Sequence, residues 1–451
     1  MTTLLSGWGR TPVVPAVITQ PAAWTDAERA VRHGIWIPRG LGRSYGDPAV
    51  PACHGGTVIL GDGLDRLLAF DETTGDLTAE AGVTLEDIIG VFQPRGWFLP
   101  TTPGTKFVTL GGAVAADVHG KNHHVDGPFS THVRKLTLLT PDGRQHTLSP
   151  EQKPRWFWAT IGGMGLTGLI LSVTLRLRRV PSAWYRVSYE RAPDLDSALR
   201  RLAEEDHRHR YSVAWIDCLA GGRSLGRSVL MLGNDAAPGE LHRSWQHRPM
   251  TIPHKSRRSV PFDFPRWALG PWSVAAFNQA FYWKHGNRTS VVDYDTYFYP
   301  LDAVHAWNRI YGKRGFVQFQ ALFPEATAAT GLRRVLEAVS DARIASFLAV
   351  LKRSGSAGQG LLSYLFPGYT LALDIPHVGQ DLIKLHQCLQ DILLELGGRL
   401  YLAKDTLGSA EAIAAMYPKL PEFRQIQHEM DPEGRIRSRM AIRLQLIDPA
   451  K

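Results

Sequence analysis

Apolar positions along the chain fall into two regimes. Before Val180 they form short runs separated by glycine and proline turns, the pattern of strands joined by tight connections. Within residues 169–178, Leu171, Val173, Leu175 and Leu177 alternate with Ser172, Thr174, Arg176 and Arg178. A period of two predicts a half-buried strand, one face packed and one wet, closing this first module. One segment in this half, residues 85–93, reads as a helix that stops before Pro94. After Pro181, strands alternate with amphipathic helices predicted over 194–206, 325–341 and 381–396, the last ended by Gly397-Gly398. Residues 245–283, rich in Pro, Trp, Phe and Arg, fit neither template and are expected to form a loop or a lid. No internal repeat or low-complexity tract interrupts the pattern.

At 451 residues and 50.0 kDa, the chain exceeds what one core organises, so the change of texture near residue 180 predicts two domains, with room for a cofactor between them. A composition of 44% hydrophobic and 21% charged residues excludes wholesale disorder. Three widely spaced cysteines, Cys53, Cys218 and Cys388, supply neither a disulfide framework nor a thiolate cluster and fit a reducing compartment. The net charge of +9 is carried by basic residues read as scattered, with modest groups at 254–258 and 435–439. Such a surface is ordinarily a solvated one, yet it would suit a phosphate-bearing substrate. Residues 1–15 lack the pattern of a signal peptide, and no stretch approaches the roughly 18 apolar residues of a membrane span. A cytoplasmic or peripherally membrane-attached protein is expected.

Three glycine-rich segments carry the first chemical signal. Arg39-Gly40-Leu41-Gly42-Arg43-Ser44-Tyr45-Gly46-Asp47 follows an apolar strand-like stretch, and glycines at this density let backbone N–H groups approach a pyrophosphate. By itself the segment is equally well a tight turn. Pro103-Gly104-Thr105 and residues 109–120 combine small residues with a helix-like Ala-rich start, which admits a flat ring or phosphate but also suits a helix packed on a sheet. Gly163, Gly165 and Gly168 match the dinucleotide fingerprint literally, but a strand follows where a helix is required, which argues against nicotinamide binding. Three such segments in one strand-rich module point to a large nucleotide cofactor.

Residues 39–47, His119-Gly120-Lys121-Asn122-His123-His124, residues 158–168 and Tyr401-Leu402-Ala403-Lys404-Asp405 resemble the motifs of the decaprenylphosphoryl-β-D-ribose oxidases. These are FAD proteins of the vanillyl-alcohol-oxidase type. The resemblance runs from Gly7 to Leu444, and its 121–124 and 401–405 motifs are specific to the subgroup. It implies an α+β chain with a PCMH-type FAD-binding domain at 1–180, an antiparallel-sheet-and-helix substrate domain at 181–395, and a segment at 396–451 returning to the first domain. By the same resemblance the flavin is held by Arg39, Gly40, Leu41, Gly42, Arg43, Ser44, Tyr45, Gly46 and Asp47, by Gly104, Thr109, Leu110, Gly111 and Gly112, by Ala116, Asp117 and His119, and by Gly168, Ile170 and Tyr401. The glycine loop has Gly42-Arg43-Ser44-Tyr45 where many superfamily members carry a flavin-tethering histidine, so non-covalent FAD is expected.

Flavin oxidation of a secondary alcohol needs a proton acceptor beside the ring. The resemblance points to Lys404, either as that base or as a group that orients the hydroxyl and stabilises alkoxide character, with Tyr45 and His119 nearby, although a lysine following an apolar strand at 400–403 is ordinarily a surface residue. It further places Lys121, Trp215, Gln318, Gln320 and Lys352 around the substrate. Gln318 and Gln320, two apart in a predicted strand, share a face that is otherwise read as strand surface, and Lys352 otherwise reads as a solvated charge. His119 and His123 are four apart, but Gly120 between them disfavours a helix and no carboxylate completes a zinc motif, so no metal is expected. In some actinobacterial members a cysteine stands where this chain has Ala372, so a thiol-directed inhibitor should find no handle here. The implied activity is oxidation of the 2′-hydroxyl of a polyprenyl-phosphoryl-β-D-ribose, with a separate NAD(P)H-dependent short-chain reductase completing an epimerisation at the membrane face. A soluble alditol or aldonolactone oxidase of the same fold is the competing reading, and a non-enzymatic flavin-binding domain is a third. The basic residues form no run interleaved with stacking aromatics, which argues against nucleic-acid binding.

Overall fold

The computed structural model describes residues 2–256, 258–265, 270–344, 346 and 348–448. Up to residue 180 the described residues build two small sheets and a two-stranded pairing of Trp97–Phe98 with Arg178–Arg179. One has four strands in the order Thr2–Leu5, Val14–Thr19, Gly56–Leu60, Trp36–Arg39, with Gly56–Leu60 parallel to both neighbours. The other is antiparallel, in the order Leu67–Asp71, Asp76–Glu80, Leu169–Arg176, Val133–Leu139, Gln145–Leu148. From Trp184 to Leu400 a single eight-stranded antiparallel sheet runs Arg288–Asp293, Trp184–Ala192, Ser228–Asp235, Tyr211–Ile216, Ala349–Ser354, Gly368–Pro376, Phe316–Pro324, Arg399–Leu400. The architecture is α+β. The last residues return to the start of the chain: the amide of Trp36 donates to the Arg435 carbonyl at 2.8 Å, and the amide of Arg437 donates back to the Trp36 carbonyl at 2.9 Å.

Local signals account for several helix ends. The first helix predicted from periodicity spans Leu85–Phe92; the Thr84 hydroxyl accepts from the Asp87 amide while the Asp87 carboxylate accepts from the Thr84 amide, a capping box, and Pro94 lies in a 3₁₀ turn, Gln93–Arg95. Leu195–Glu205 starts on the Asp194 side chain, which accepts from Ser197 N at 2.8 Å. Gln380–Glu395 ends where Gly397 takes φ +68° and Gly398 N donates to Leu393 O, because a left-handed residue past a helix end favours glycine.

Three expectations are corrected. Leu169–Arg176 is not half-buried: the strand is central in its sheet and both faces are covered, Ser172 and Thr174 included. Their hydroxyls meet those of Thr137 at 3.0 Å and Thr78 at 2.8 Å, which offsets the cost of burying them. The helix expected over 325–341 begins only at Ala328, after a turn in which the Thr327 hydroxyl donates to the Leu396 carbonyl. Residues 245–283 are not wholly a loop, since Pro271–Lys284 is a 14-residue helix; residues 257 and 266–269 of the basic and aromatic stretches lie outside the described residues.

Candidate active site

A cavity of about 770 Å³ lies between the first module and the eight-stranded sheet, lined from both, in the range of a site for a large ligand. The first module contributes glycine-rich wall: residues 40–45, Gly104, residues 111–112 and 115–116, and Gly165 with residues 168–170. Two positions show why these are glycines. At Gly40 a β-carbon would stand 2.2 Å from the Thr109 hydroxyl, so the strand end and the N-cap of the helix Leu110–Ala115 touch directly. Gly42 has φ +63°, the left-handed conformation that side chains resist. At Gly104 the place of a β-carbon is open, with nothing within 4 Å.

The loop is fixed from behind. Tyr45 N donates to the Ala403 carbonyl at 3.0 Å and Trp8 N to the Ser44 carbonyl at 2.7 Å. A β-carbon on Gly46 would stand 2.0 Å from the Asp405 carbonyl oxygen. Asp47 and Asp405, both buried, share Arg443: its guanidinium reaches Asp47 at 2.7 and 3.1 Å and Asp405 at 2.8 Å. This pins the glycine loop to the turn that carries Lys404. Gly46 and Asp47 therefore stand behind the cavity wall, as do Leu110, fully buried in the apolar core, and Asp117, whose carboxylate accepts from Ser130 N and the Ser363 hydroxyl. The remaining flavin-site residues named from the sequence reach the cavity: Arg39, Gly40, Leu41, Gly42, Arg43, Ser44, Tyr45, Gly104, Thr109, Gly111, Gly112, Ala116, His119, Gly168, Ile170 and Tyr401. Arg39 uses its guanidinium on the carbonyls of Ala49 and Ser6.

The sheet supplies the polar floor. Gln318 and Gln320 point into the cavity from Phe316–Pro324, and Lys352 and Ala372 from the two strands beyond it. The expected strand at 400–403 stops at Leu400; residues 401–404 form a turn in which Lys404 N donates to Tyr401 O at 2.9 Å. That turn swings the Lys404 ammonium over the Tyr45 ring, 3.8 Å from its centroid. Asp374, in register with Gln318 on the neighbouring strand, is completely buried. Gln318 donates to its Oδ1, while Oδ2 has no hydrogen-bond partner. Burial pushes the Lys404 amine down and the Asp374 carboxyl up; their mutual attraction opposes both shifts, and Lys352 pushes Lys404 further down. The sequence reading passed over Asp374. Its signal was a lone carboxylate in the apolar strand Tyr369-Thr370-Leu371-Ala372-Leu373-Asp374-Ile375, whose meaning depends on strand register.

Four further groups face the same space. Gln320 Nε2 donates to His119 Nε2 at 3.0 Å, so the imidazole proton sits on Nδ1, which has no partner in the protein. Burial, followed by the charge of Lys352, holds His119 well below its ordinary value and therefore neutral. The Lys121 ammonium donates to the Tyr297 carbonyl and is lowered to about 7 by burial, while Lys352 is lowered to about 8. Trp215 completes the set, its ring tilted 44° against Phe281 with centroids 4.6 Å apart. Thus the substrate-site residues named from sequence, Lys121, Trp215, Gln318, Gln320 and Lys352, all line the cavity with Lys404. His123 is turned aside, its Nδ1 accepting from Gly355 N, and among the described residues no cluster of three potential metal ligands forms.

The residues present fit FAD. A continuous glycine-lined trough joins a chamber where a flat ring can meet open space at Gly104 and the unpartnered Nδ1 of His119. Comparison with known proteins agrees. The FAD binding domain family matches residues 15–149, and the D-arabinono-1,4-lactone oxidase family matches residues 377–444. The chain is 35% identical to decaprenylphosphoryl-β-D-ribose oxidase of Mycolicibacterium smegmatis, across 98% of this chain and 97% of the relative. It is 23% identical to an alditol oxidase of a Streptomyces species and 22% identical to an L-gulono-1,4-lactone dehydrogenase of Mycobacterium tuberculosis, each across 96% of this chain and 97% of the relative.

Proposed function

The chain belongs to the decaprenylphosphoryl-β-D-ribose oxidase family of FAD-dependent oxidoreductases, and from that premise we propose that it oxidises the 2′-hydroxyl of a polyprenyl-phosphoryl-β-D-ribose to the 2′-keto sugar. The observation that carries this reading is the enclosed amine of Lys404, held over Tyr45 and beside Asp374 in a chamber continuous with the glycine loops. When bound, FAD supplies the hydride acceptor. The glycine loop and the segments around Gly104 and residues 109–112 hold its pyrophosphate and ring, with residues 168–170 on the adenosine side, and the absence of histidine from the glycine loop leaves the flavin non-covalent.

In this mechanism Lys404 receives the hydroxyl proton. Its amine can do so only when neutral, and burial provides that state near neutrality instead of at the ordinary alkaline value. Asp374 acts on it by charge, its carboxyl held by the Gln318 amide, and the Tyr45 ring lies under the amine. Gln320 and neutral His119 orient the sugar by hydrogen bonding, and Lys121 and Lys352 meet the phosphate. A 2′-keto product requires a separate reductant for epimerisation, for which an NAD(P)H-dependent short-chain reductase is the proposed partner. No helix among the described residues is long and apolar enough to cross a membrane, so contact with the lipid-linked substrate is taken to be peripheral.

Asp374 gives this scheme a pH signature. Its negative charge raises the proton affinity of Lys404, so Asp374→Asn is expected to move the acid limb of the reduction rate to lower pH. Stopped-flow reduction across pH 5–9 (about the range where buried lysines titrate) measures it; an unmoved limb would show that Asp374 does not act through Lys404.

The activity itself is tested by the anaerobic visible spectrum. Polyprenyl-phosphoryl-ribose should bleach the flavin band, and acid should release the yellow colour into the supernatant. The match of residues 377–444 to D-arabinono-1,4-lactone oxidases supports a second reading as a soluble lactone or alditol oxidase. That reading replaces the first if only free alditols or lactones bleach the flavin.

A further inference from the structure

The Lys and Arg residues are spread along the chain, but one stretch is nearly free of carboxylates. Residues 241–292 contain eight Lys or Arg residues and one carboxylate, Asp263, within a chain whose whole net charge is +9. The same stretch holds four of the 13 tryptophans. Its helix, Pro271–Lys284, has Lys284 as its only charged residue and lacks a polar face. An all-round apolar helix ordinarily lies inside a core or against lipid, but this one lies at the surface.

Its inner side is accounted for. Val274 is buried, Asn278 donates to the Asp217 carboxylate at 2.7 Å, and Phe281 packs on Trp215. Phe277 and Phe281 form part of the apolar end of the cavity together with Val213, Met231, Leu348 and Val350. The outer side is not accounted for. Trp272 and Trp283 are eleven residues apart, three turns that bring them onto one stripe, and they are 91% and 62% exposed. Ala276 lies between them, also exposed. Cations flank the stripe: the Arg191 guanidinium lies 5.2 Å from the Trp283 ring, and Lys284 and Arg288 are exposed beside it.

We propose that the helix Pro271–Lys284 is a membrane-docking element that seats Trp272 and Trp283 in the interface of an anionic bilayer and brings the apolar end of the cavity to the lipid. Tryptophan is favoured at the water–lipid boundary, and flanking lysine and arginine select anionic headgroups. One helix thereby serves two apolar environments, a lipid tail on its inner face and the bilayer on its outer one. The purpose of the docking rests on the lipid-linked substrate proposed above; the docking itself is measured without substrate.

The test is flotation of the FAD-loaded protein with vesicles of phosphatidylcholine alone or mixed with phosphatidylglycerol. The protein is expected to float with the anionic vesicles, less so in high salt, and hardly at all with the neutral ones. Trp272→Ser combined with Trp283→Ser should weaken vesicle binding by at least about tenfold, and Lys284→Glu with Arg288→Glu should do so on anionic vesicles by about tenfold or more. All variants should retain flavin content and reduction by detergent-dispersed substrate. Failure of the wild-type protein to float, equal flotation with both vesicles, or undiminished flotation of the tryptophan variant each overturns the proposal. Concentration-dependent dimerisation abolished by the tryptophan changes, without vesicle binding, would also overturn it and assign the stripe to a second copy of the chain. If the vesicles bind but the substrate fails to bleach the flavin, the docking stands and only the substrate reading falls.

Discussion

Lys404→Met is expected to slow anaerobic flavin reduction by about 10²–10⁴-fold, the usual contribution of a positioned proton acceptor, while the protein stays yellow. Methionine has similar length and can cover the Tyr45 ring, so the chamber keeps its shape while losing the only group placed to take the proton in this scheme. Lys404→Arg is expected to be no better, because a guanidinium does not deprotonate near neutrality. The wild-type rate should rise with pH as the amine loses its proton; since burial lowers that value from the ordinary lysine range, the rise belongs near neutrality. In the methionine variant that limb should vanish. A flavin-bound Lys404→Met protein with near-normal reduction would remove Lys404 from the chemistry.

The second large effect is expected at Arg443, which does not line the cavity. Arg443→Met leaves Asp47 and Asp405 buried side by side without their shared cation. Removing one partner of a buried ion pair costs about 3–5 kcal/mol, and urea unfolding at constant FAD should show a loss of that size. The deficit should shrink in acid. Burial raises the Asp47 carboxyl and Arg443 opposes that rise, so without Arg443 folded Asp47 holds its proton more tightly than the unfolded chain does, and the variant's stability falls as pH rises. The glycine loop and the Lys404 turn meet through these two aspartates, so FAD affinity should fall with stability. Equal stability of variant and wild type at pH 8 would show that the backbone contacts of Tyr45 and Gly46 suffice to hold the two segments together.

The parts of this molecule that depend on local geometry were legible in the sequence. Asp194 and Thr84 cap the helices they precede, and Gly397 ends the one before it. Glycine density in residues 40–46 left close backbone approach and a tight turn equally open, and both occur: Gly40 and Gly46 abut Thr109 and Asp405, and Gly42 is left-handed. What depended on strand register or on the far end of the chain was not legible. Asp374 looks like a stray polar residue until pairing puts it opposite Gln318. Ser172 and Thr174 mark a wet face by pattern, but cross-strand hydroxyls keep them dry. Asp47 and Asp117, adjacent to obvious cofactor motifs, are committed to Arg443 and to Ser363, partners hundreds of residues away. Lys404 was found by resemblance; spacing alone would have left it at the surface, because the turn over Tyr45 follows a strand only two residues long.

The most direct test of the proposed chemistry is stopped-flow flavin reduction by polyprenyl-phosphoryl-ribose carrying deuterium at the 2′-carbon, without oxygen. If hydride leaves that carbon in the chamber beside Lys404, the deuterated substrate should reduce the flavin several-fold more slowly than the protiated one, and the product should be the 2′-keto sugar without the label. Equal rates with retained deuterium, or bleaching only by a free sugar alcohol or lactone, would contradict it.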